Sequence, residues 1–184
     1  MVRIARGEDI RRHGSGNIGA TNVWRLYGRG LGLLVAFLDV AKGFVPVLVA
    51  TLVHGHLAGA LTGAAAILGH WRPLFLGFQR GGKVVATCGG AFLGLAPFVG
   101  LASAVIWVTV FLVTRYASVS SMIAASSLPV LSLVLGEPWP VVAFSIGAAL
   151  AVLLLHRPNL ARLRAGTEKR VQLRRQRDPE PRRA

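Results

Sequence analysis

Acidic residues are scarce in this 184-residue chain: seven Asp and Glu stand against 21 Lys and Arg, a formal net charge of +14. The cations flank apolar stretches instead of forming a basic soluble face, which excludes nucleic acid and points to lipid headgroups and small anionic substrates. Cysteine occurs once, at Cys88, so an intrachain disulfide and a Cys-based metal cluster are excluded and a small buried residue is what remains. A cleavable signal peptide is not visible, because the first thirty residues are rich in Arg and Gly and contain no apolar core. The opposite lack is of Lys and Arg in the loops at 54–56, 96–97 and 136–140.

What is present in quantity is apolar surface. The chain is 53% hydrophobic, with a mean hydropathy of +0.57, above the roughly 45 to 50% of soluble domains, and it therefore reads as an integral membrane protein. The stretch 31–53 is long enough to cross a hydrocarbon core, which takes about 20 residues. Stretches 97–113, 119–135 and 141–155 are further crossings, while 57–69 and 84–95 are rich in Gly and Ala and must be short, tilted or shielded by neighbours. The expectation is an all-α, polytopic bundle of six spans, with short re-entrant or interfacial polar loops. Gly59, Gly63, Gly89, Gly90 and Gly94 would allow close helix approach. One membrane domain is expected over 1–168, followed by a basic, disordered tail at 169–184 that acts as a topology signal or as a tether on anionic lipid.

Twenty of the 21 Lys and Arg fall in segments that lie on one face of the membrane if every long apolar stretch is a span, the exception being Lys42. This is a positive-inside pattern, and it marks the face on which to look for chemistry.

Four polar segments meet that face. Gly14-Ser15-Gly16-Asn17-Ile18-Gly19-Ala20-Thr21-Asn22, beside Arg25, combines flexible backbone with hydroxyls and amides, as an anion-binding nest requires. Its first six residues match G-x-G-x-x-G, but without a preceding strand the dinucleotide reading lacks its context. The second segment runs from Gly69-His70 to Gly81-Gly82-Lys83, where backbone donors, a cation and a helix start coincide, an arrangement that suits phosphate. By itself Lys83 reads more readily as an interfacial charge that sets topology. Arg115 with Ser118, Ser120 and Ser121 forms the third, and His156-Arg157-Pro158-Asn159, continuing to Arg162 and Glu168, the fourth. Asp39 and Lys42 lie within a span at i and i+3, on one helical face, and read as a structural pair. His54 and His56 read as loop residues.

These segments, in this order, resemble the bacterial acyl-phosphate:glycerol-3-phosphate acyltransferases, the PlsY family. The likeness runs from about Gly7 to Glu168 and includes Asp39-Val40-Ala41-Lys42-Gly43. Members of that family begin with one further apolar span, giving seven, and carry Phe-Lys-Gly-Gly-Lys-Gly-Val-Ala-Thr where this chain reads Phe78-Gln79-Arg80-Gly81-Gly82-Lys83-Val84-Val85-Ala86-Thr87. One residue is thus inserted, and Val84 replaces a glycine.

The resemblance implies transfer of a fatty acyl group from acyl phosphate to the sn-1 hydroxyl of glycerol 3-phosphate, without cofactor or metal and without an obligate protein partner. It implies the cytoplasmic membrane of a bacterium, with the motif loops facing the cytoplasm and membrane lipids as surroundings. Carried over by residue, it has Ser15, Gly16, Asn17, Gly19, Thr21, Asn22, Gly81 and Gly82 on the acyl phosphate, and Arg25, Lys83, His156 and Asn159 on glycerol 3-phosphate. Ser120, Ser121 and Lys83 would stand near the reacting groups, with His70, Arg115, Asp39 and Lys42 as further candidates. The chain has no His-x4-Asp motif of the other glycerophosphate acyltransferase class, and no Ser-His-Asp set or reactive cysteine on the basic face. Two alternatives remain from the residues alone: a transporter of a phosphorylated metabolite, which needs polar residues facing both compartments, and an inactive, shortened relative.

Overall fold

The computed structural model describes residue 7 and residues 9–79 and 81–172. Arg80, the inserted residue of the second motif, and residues 173–184 of the expected tail lie outside them. Regular structure among the described residues is helical: α1 (Ala20–Tyr27), α2 (Arg29–Trp71), α3 (Val85–Leu95), α4 (Pro97–Thr114), α5 (Ala117–Val134), α6 (Trp139–Leu155) and α7 (Arg157–Arg164). Two 3-10 turns, Ile10–Arg12 and Leu74–Leu76, complete it.

Helix α2 is two antiparallel limbs. Its 43 residues include Gly55 at φ 80° and ψ −178°, which breaks the helix. In a straight helix Lys42 and His70 would stand about 42 Å apart, yet the Lys42 Nζ is hydrogen-bonded to His70 Nδ1. A Cβ on Gly59 would also strike Thr51 Oγ1 from the other side of the break. The limbs 29–54 and 56–71 contain the two apolar stretches at 31–53 and 57–69, so all six stretches expected to span are helical. Helices α4 and α5 are long and apolar enough to cross a membrane, and α6 and α7, bent by 51° at their junction, reach that length and apolarity only when taken together. Leu52, Phe98, Val113 and Val134 are apolar and exposed, a composition that suits hydrocarbon on the outside.

Proline and left-handed residues set the ends. Pro97, Pro140 and Pro158 sit in the first turns of α4, α6 and α7, where the missing N–H has no cost. Arg115 at φ 62° ends α4.

The short α3 is the shielded element. Seven of its 11 residues are buried, among them Thr87, Ala91 and Phe92. It meets the first limb of α2 backbone to backbone: a Cβ on Gly90 would fall onto the Val40 carbonyl oxygen, and one on Gly43 onto that of Thr87. Gly94 packs against Leu48 and Phe44 in the same seam, and Gly63 admits the Phe144 ring, which stacks on Phe92 at 5.0 Å. Gly89 departs from the expectation for the small residues. A Cβ there meets nothing within 4 Å, because the residue faces a cavity.

The turns bring the four polar segments to one end. Arg11 Nη1 donates to Gln79 Oε1 at 2.6 Å, Arg25 Nη2 to the Lys169 carbonyl at 2.9 Å, and the Val171 amide to the Arg115 carbonyl at 2.9 Å. Of the tail at 169–184, residues 169–172 thus pack back on the bundle, with Val171 buried.

Gly90→Ala is expected to lower stability by about 1 to 3 kcal/mol through overpacking of the α2–α3 seam. Gly147→Ala, in α6 with open space around its Cβ position, is expected to leave the unfolding transition in detergent unchanged.

Candidate active site

The first motif forms a loop organised around one amide. Gly14 and Gly16 adopt φ 63° and 69°. The buried Asn22 side chain accepts from the Ser15 amide at 3.0 Å and donates to the His13 and Asn17 carbonyls at 3.2 and 2.9 Å. Asn17 Oδ1 in turn accepts from the Gly19 amide at 2.7 Å, just before α1 begins. Asn22 is therefore a brace of the nest more than a free ligand, while Ser15, Asn17, Gly19, Thr21 and Arg25 line a cavity of about 520 Å3 with it.

Lys83 reaches the same cavity from the loop before α3, with His156, Asn159, Ser121, Asp39 and His70. Its Nζ donates to Asn159 Oδ1. Asn159 Nδ2 donates to Glu168 Oε1 at 2.6 Å, and the same oxygen accepts from Ser118 Oγ at 2.8 Å. Arg162 Nε donates to Glu168 Oε2 at 2.6 Å. His156 Nδ1 lies 2.8 Å from the Val152 carbonyl; a carbonyl only accepts, so Nδ1 carries the proton and Nε2 remains an acceptor in the neutral ring.

Several expected ligands stand elsewhere. Gly81 and Gly82 do not offer their amides to an anion: these donate to the Trp71 and His70 carbonyls at 2.8 and 3.2 Å, closing the loop onto the end of α2. Ser120 is fully buried, donates to the Tyr116 carbonyl at 2.9 Å, and does not line the cavity. Ser121 does, but its hydroxyl donates to the Ala117 carbonyl at 2.6 Å and accepts from Trp107 Nε1 at 3.1 Å. Among the described residues no base is hydrogen-bonded to either serine, so neither is poised as a nucleophile. Gly16, Lys42 and Arg115 also lie off the lining. Lys42 pairs with Asp39 at 2.5 Å as the i, i+3 spacing implies, and Arg115 turns its Nε to the Leu112 carbonyl at 3.2 Å.

Glu168, with Ser118 and Arg162, was not assigned a role from sequence. The available signal was chemical isolation: Glu168 is the only acid between Glu137 and Asp178, inside a run of cations.

Burial, and then the neighbouring Arg162, push the Lys83 ammonium down to about 8. For Glu168 burial acts upward, but the hydrogen bonds from Asn159, Ser118 and Arg162 outweigh it and hold the carboxyl below its ordinary value. Beyond this charged end the cavity turns apolar between α3, α4 and α5, along Leu93, Ala104, Trp107, Val108, Phe111 and Leu128. None of its lining residues comes from the turns at 54–56 or 136–140. The arrangement can hold an anionic headgroup at one end and a hydrocarbon chain at the other.

Residues 1–166 match the family profile described as "Glycerol-3-phosphate acyltransferase". The chain belongs to the glycerol-3-phosphate acyltransferase family. A glycerol-3-phosphate acyltransferase of Desulforudis audaxviator is 45% identical over 95% of this chain and 87% of that protein. One of Synechococcus sp. strain CC9902 is 47% identical over 92% of this chain and 84% of its own. The crystal structure of PlsY, an integral membrane glycerol 3-phosphate acyltransferase, in its glycerol 3-phosphate form superposes with a TM-score of 0.88 at 41% identity, covering 92% of this chain and 85% of that one. Its lysophosphatidic acid form gives 0.82 at 42% identity, covering 85% and 81%. This protein is accordingly a membrane acyltransferase with the all-helical fold that its sequence resemblance implied.

Because kcat/KM reports ionisation in the free enzyme, its value for glycerol 3-phosphate is expected to fall as pH rises through about 8, where Lys83 loses its proton. Lys83→Arg keeps its charge across that range and is expected to abolish the alkaline limb; a limb that stays in place would assign it to another group.

Proposed function

We propose that this acyltransferase transfers a fatty acyl group from acyl phosphate to the sn-1 hydroxyl of glycerol 3-phosphate, yielding 1-acylglycerol 3-phosphate and inorganic phosphate. The observation that carries this reading is the single cavity in which Arg25, Lys83, Asn159 and Arg162 stand at one end and the apolar walls of α3, α4 and α5 at the other. Both substrates bring phosphate, and one brings a chain that needs such walls.

Ser15, Asn17, Gly19 and Thr21 of the nest hold the acyl phosphate, with its chain along Trp107, Val108 and Phe111. Arg25, Lys83, Asn159 and His156 hold glycerol 3-phosphate. The hydroxyl oxygen attacks the acyl carbon, the bond from that carbon to the phosphate oxygen breaks, and the hydroxyl proton leaves with the departing phosphate. No protein nucleophile is required, since the donor is already a mixed anhydride, and the hydrogen-bonded state of Ser121 accords with direct transfer. The protein's contribution is orientation and stabilisation of developing charge. The reaction takes place at the cytoplasmic membrane, with the four motif segments on the cytoplasmic side, as the one-sided distribution of cations favours.

Purified protein given acyl phosphate and labelled glycerol 3-phosphate is expected to form labelled lysophosphatidate, with acyl-CoA and acyl carrier protein thioesters inactive as donors. Uptake into vesicles without acylation would instead indicate a transporter, and neither product nor uptake an inactive relative. Arg25→Ala and Lys83→Ala are each expected to raise KM for glycerol 3-phosphate by roughly ten- to a hundredfold, the loss of one charged hydrogen bond, with the thermal transition retained. Unchanged kinetics in both would overturn the assignment.

A further inference from the structure

Beyond α7, residues 167–172 run without regular structure across the polar end of the bundle, held at successive positions. The Glu168 carboxylate meets Ser118, Asn159 and Arg162. The next carbonyl, of Lys169, accepts from Arg25, the Arg170 guanidinium lies 5.2 Å over the Tyr116 ring, and the Val171 amide donates to Arg115. This strap thereby touches α1, α5, α7 and the turn between α4 and α5.

Glu168 is the chemically decisive part of it. Its side chain is only 6% exposed. An amide has one donor end and one acceptor end. With Asn159 Nδ2 drawn to the carboxylate, Oδ1 must face the other way, and there it receives Lys83. Turned over, the amide would set its NH2 against the Lys83 ammonium and its oxygen against the carboxylate, a double repulsion.

We infer that Glu168 is a positioning residue for acyl transfer: from the strap it fixes the Asn159 amide, so that Asn159 and Lys83 meet glycerol 3-phosphate as an oriented pair, and it holds Arg162 and Ser118 at the same rim. The inference rests on the reading of Lys83 and Asn159 as phosphate ligands. Glu168 acts through these neighbours without touching substrate. The groups that face Lys83 are Arg25 from α1, His156 and Asn159 at the α6–α7 junction, Arg162 from α7 and Glu168 from the strap. Glu168 is the one acid among them, and its charge supports the ammonium against burial and the two arginines.

The test is the pH profile of kcat/KM, with KM for glycerol 3-phosphate, in Glu168→Gln, Asn159→Ala, Lys83→Ala and the Asn159→Ala/Glu168→Gln double variant. Glu168→Gln is expected to raise KM roughly tenfold or more, because a charged acceptor shared by several donors is lost. It is also expected to shift the alkaline limb to lower pH, and to add little to Asn159→Ala, since both act through one amide. An unmoved limb together with additive effects overturns the proposal. Unaltered KM in both Lys83→Ala and Asn159→Ala is a different result, which removes the phosphate-site reading and this inference with it. Should Glu168→Gln fail to fold, Glu168→Asp decides: it keeps the charge and withdraws the carboxylate by one methylene, so KM is expected to rise with the limb in place, and an unaltered KM overturns the proposal.

Discussion

The structure depends on the backbone-to-backbone seam between α2 and α3. Eleven residues of helix span only about 16 Å, against a hydrocarbon core of about 30 Å, so α3 must take its shelter from protein. Gly43, Gly90 and Gly94 provide it by letting two helix backbones meet where any side chain would collide. The second limb of α2 then fixes the other coordinate. Its last residues, His70 and Trp71, offer the carbonyls that tie down Gly81 and Gly82, and Lys83 follows directly. The position of this lysine is thus a consequence of helix packing on two sides, and the cavity is the space left between α3, α4 and α5 once that packing is made.

Charge is distributed around this space with an excess of one sign. Arg25, Lys83 and Arg162 face it, and Glu168 is bonded to only one of the three. Burial first, and then the neighbouring cations, raise the cost of keeping Lys83 protonated and hold it well below an ordinary lysine. On the proposed reading of Arg25 and Lys83 as phosphate ligands, a bound phosphate supplies the missing negative charge and restores the ammonium. In that reading the imbalance of charge becomes affinity for anionic substrate, while Glu168 limits the repulsion and orients its partners.

Val84 shows how a departure from the family motif is accommodated. It occupies the left-handed region at φ 61°, where an L-residue other than glycine costs roughly 1 to 2 kcal/mol. Its side chain is fully buried in the apolar core beside Cys88 and Ala91, and burial of a valine is worth about 1.5 to 3 kcal/mol. The backbone conformation that a glycine would adopt freely is kept, and apolar burial offsets the strain of keeping it.

The sequence by itself determined the apolar helices and the collection of cations and polar segments at one end, because hydropathy, charge and local spacing are properties of neighbouring residues. Even the break at Gly55 was legible as the end of one apolar stretch and the start of another. Only the tertiary structure decided which polar groups are free to act. Ser120 and Ser121 are adjacent, yet about 100° of helix rotation separates them, and the packing of α5 turns only the second toward the cavity. The amides of Gly81 and Gly82 are engaged by carbonyls of α2, and Asn22 is engaged by its own loop. Glu168 acquires its place by meeting Ser118, 50 residues away. The physical reason is common to all of these: what a polar group can still bind depends on the partners that the folded chain sets beside it, and the pattern of apolar and polar residues does not record where those partners stand.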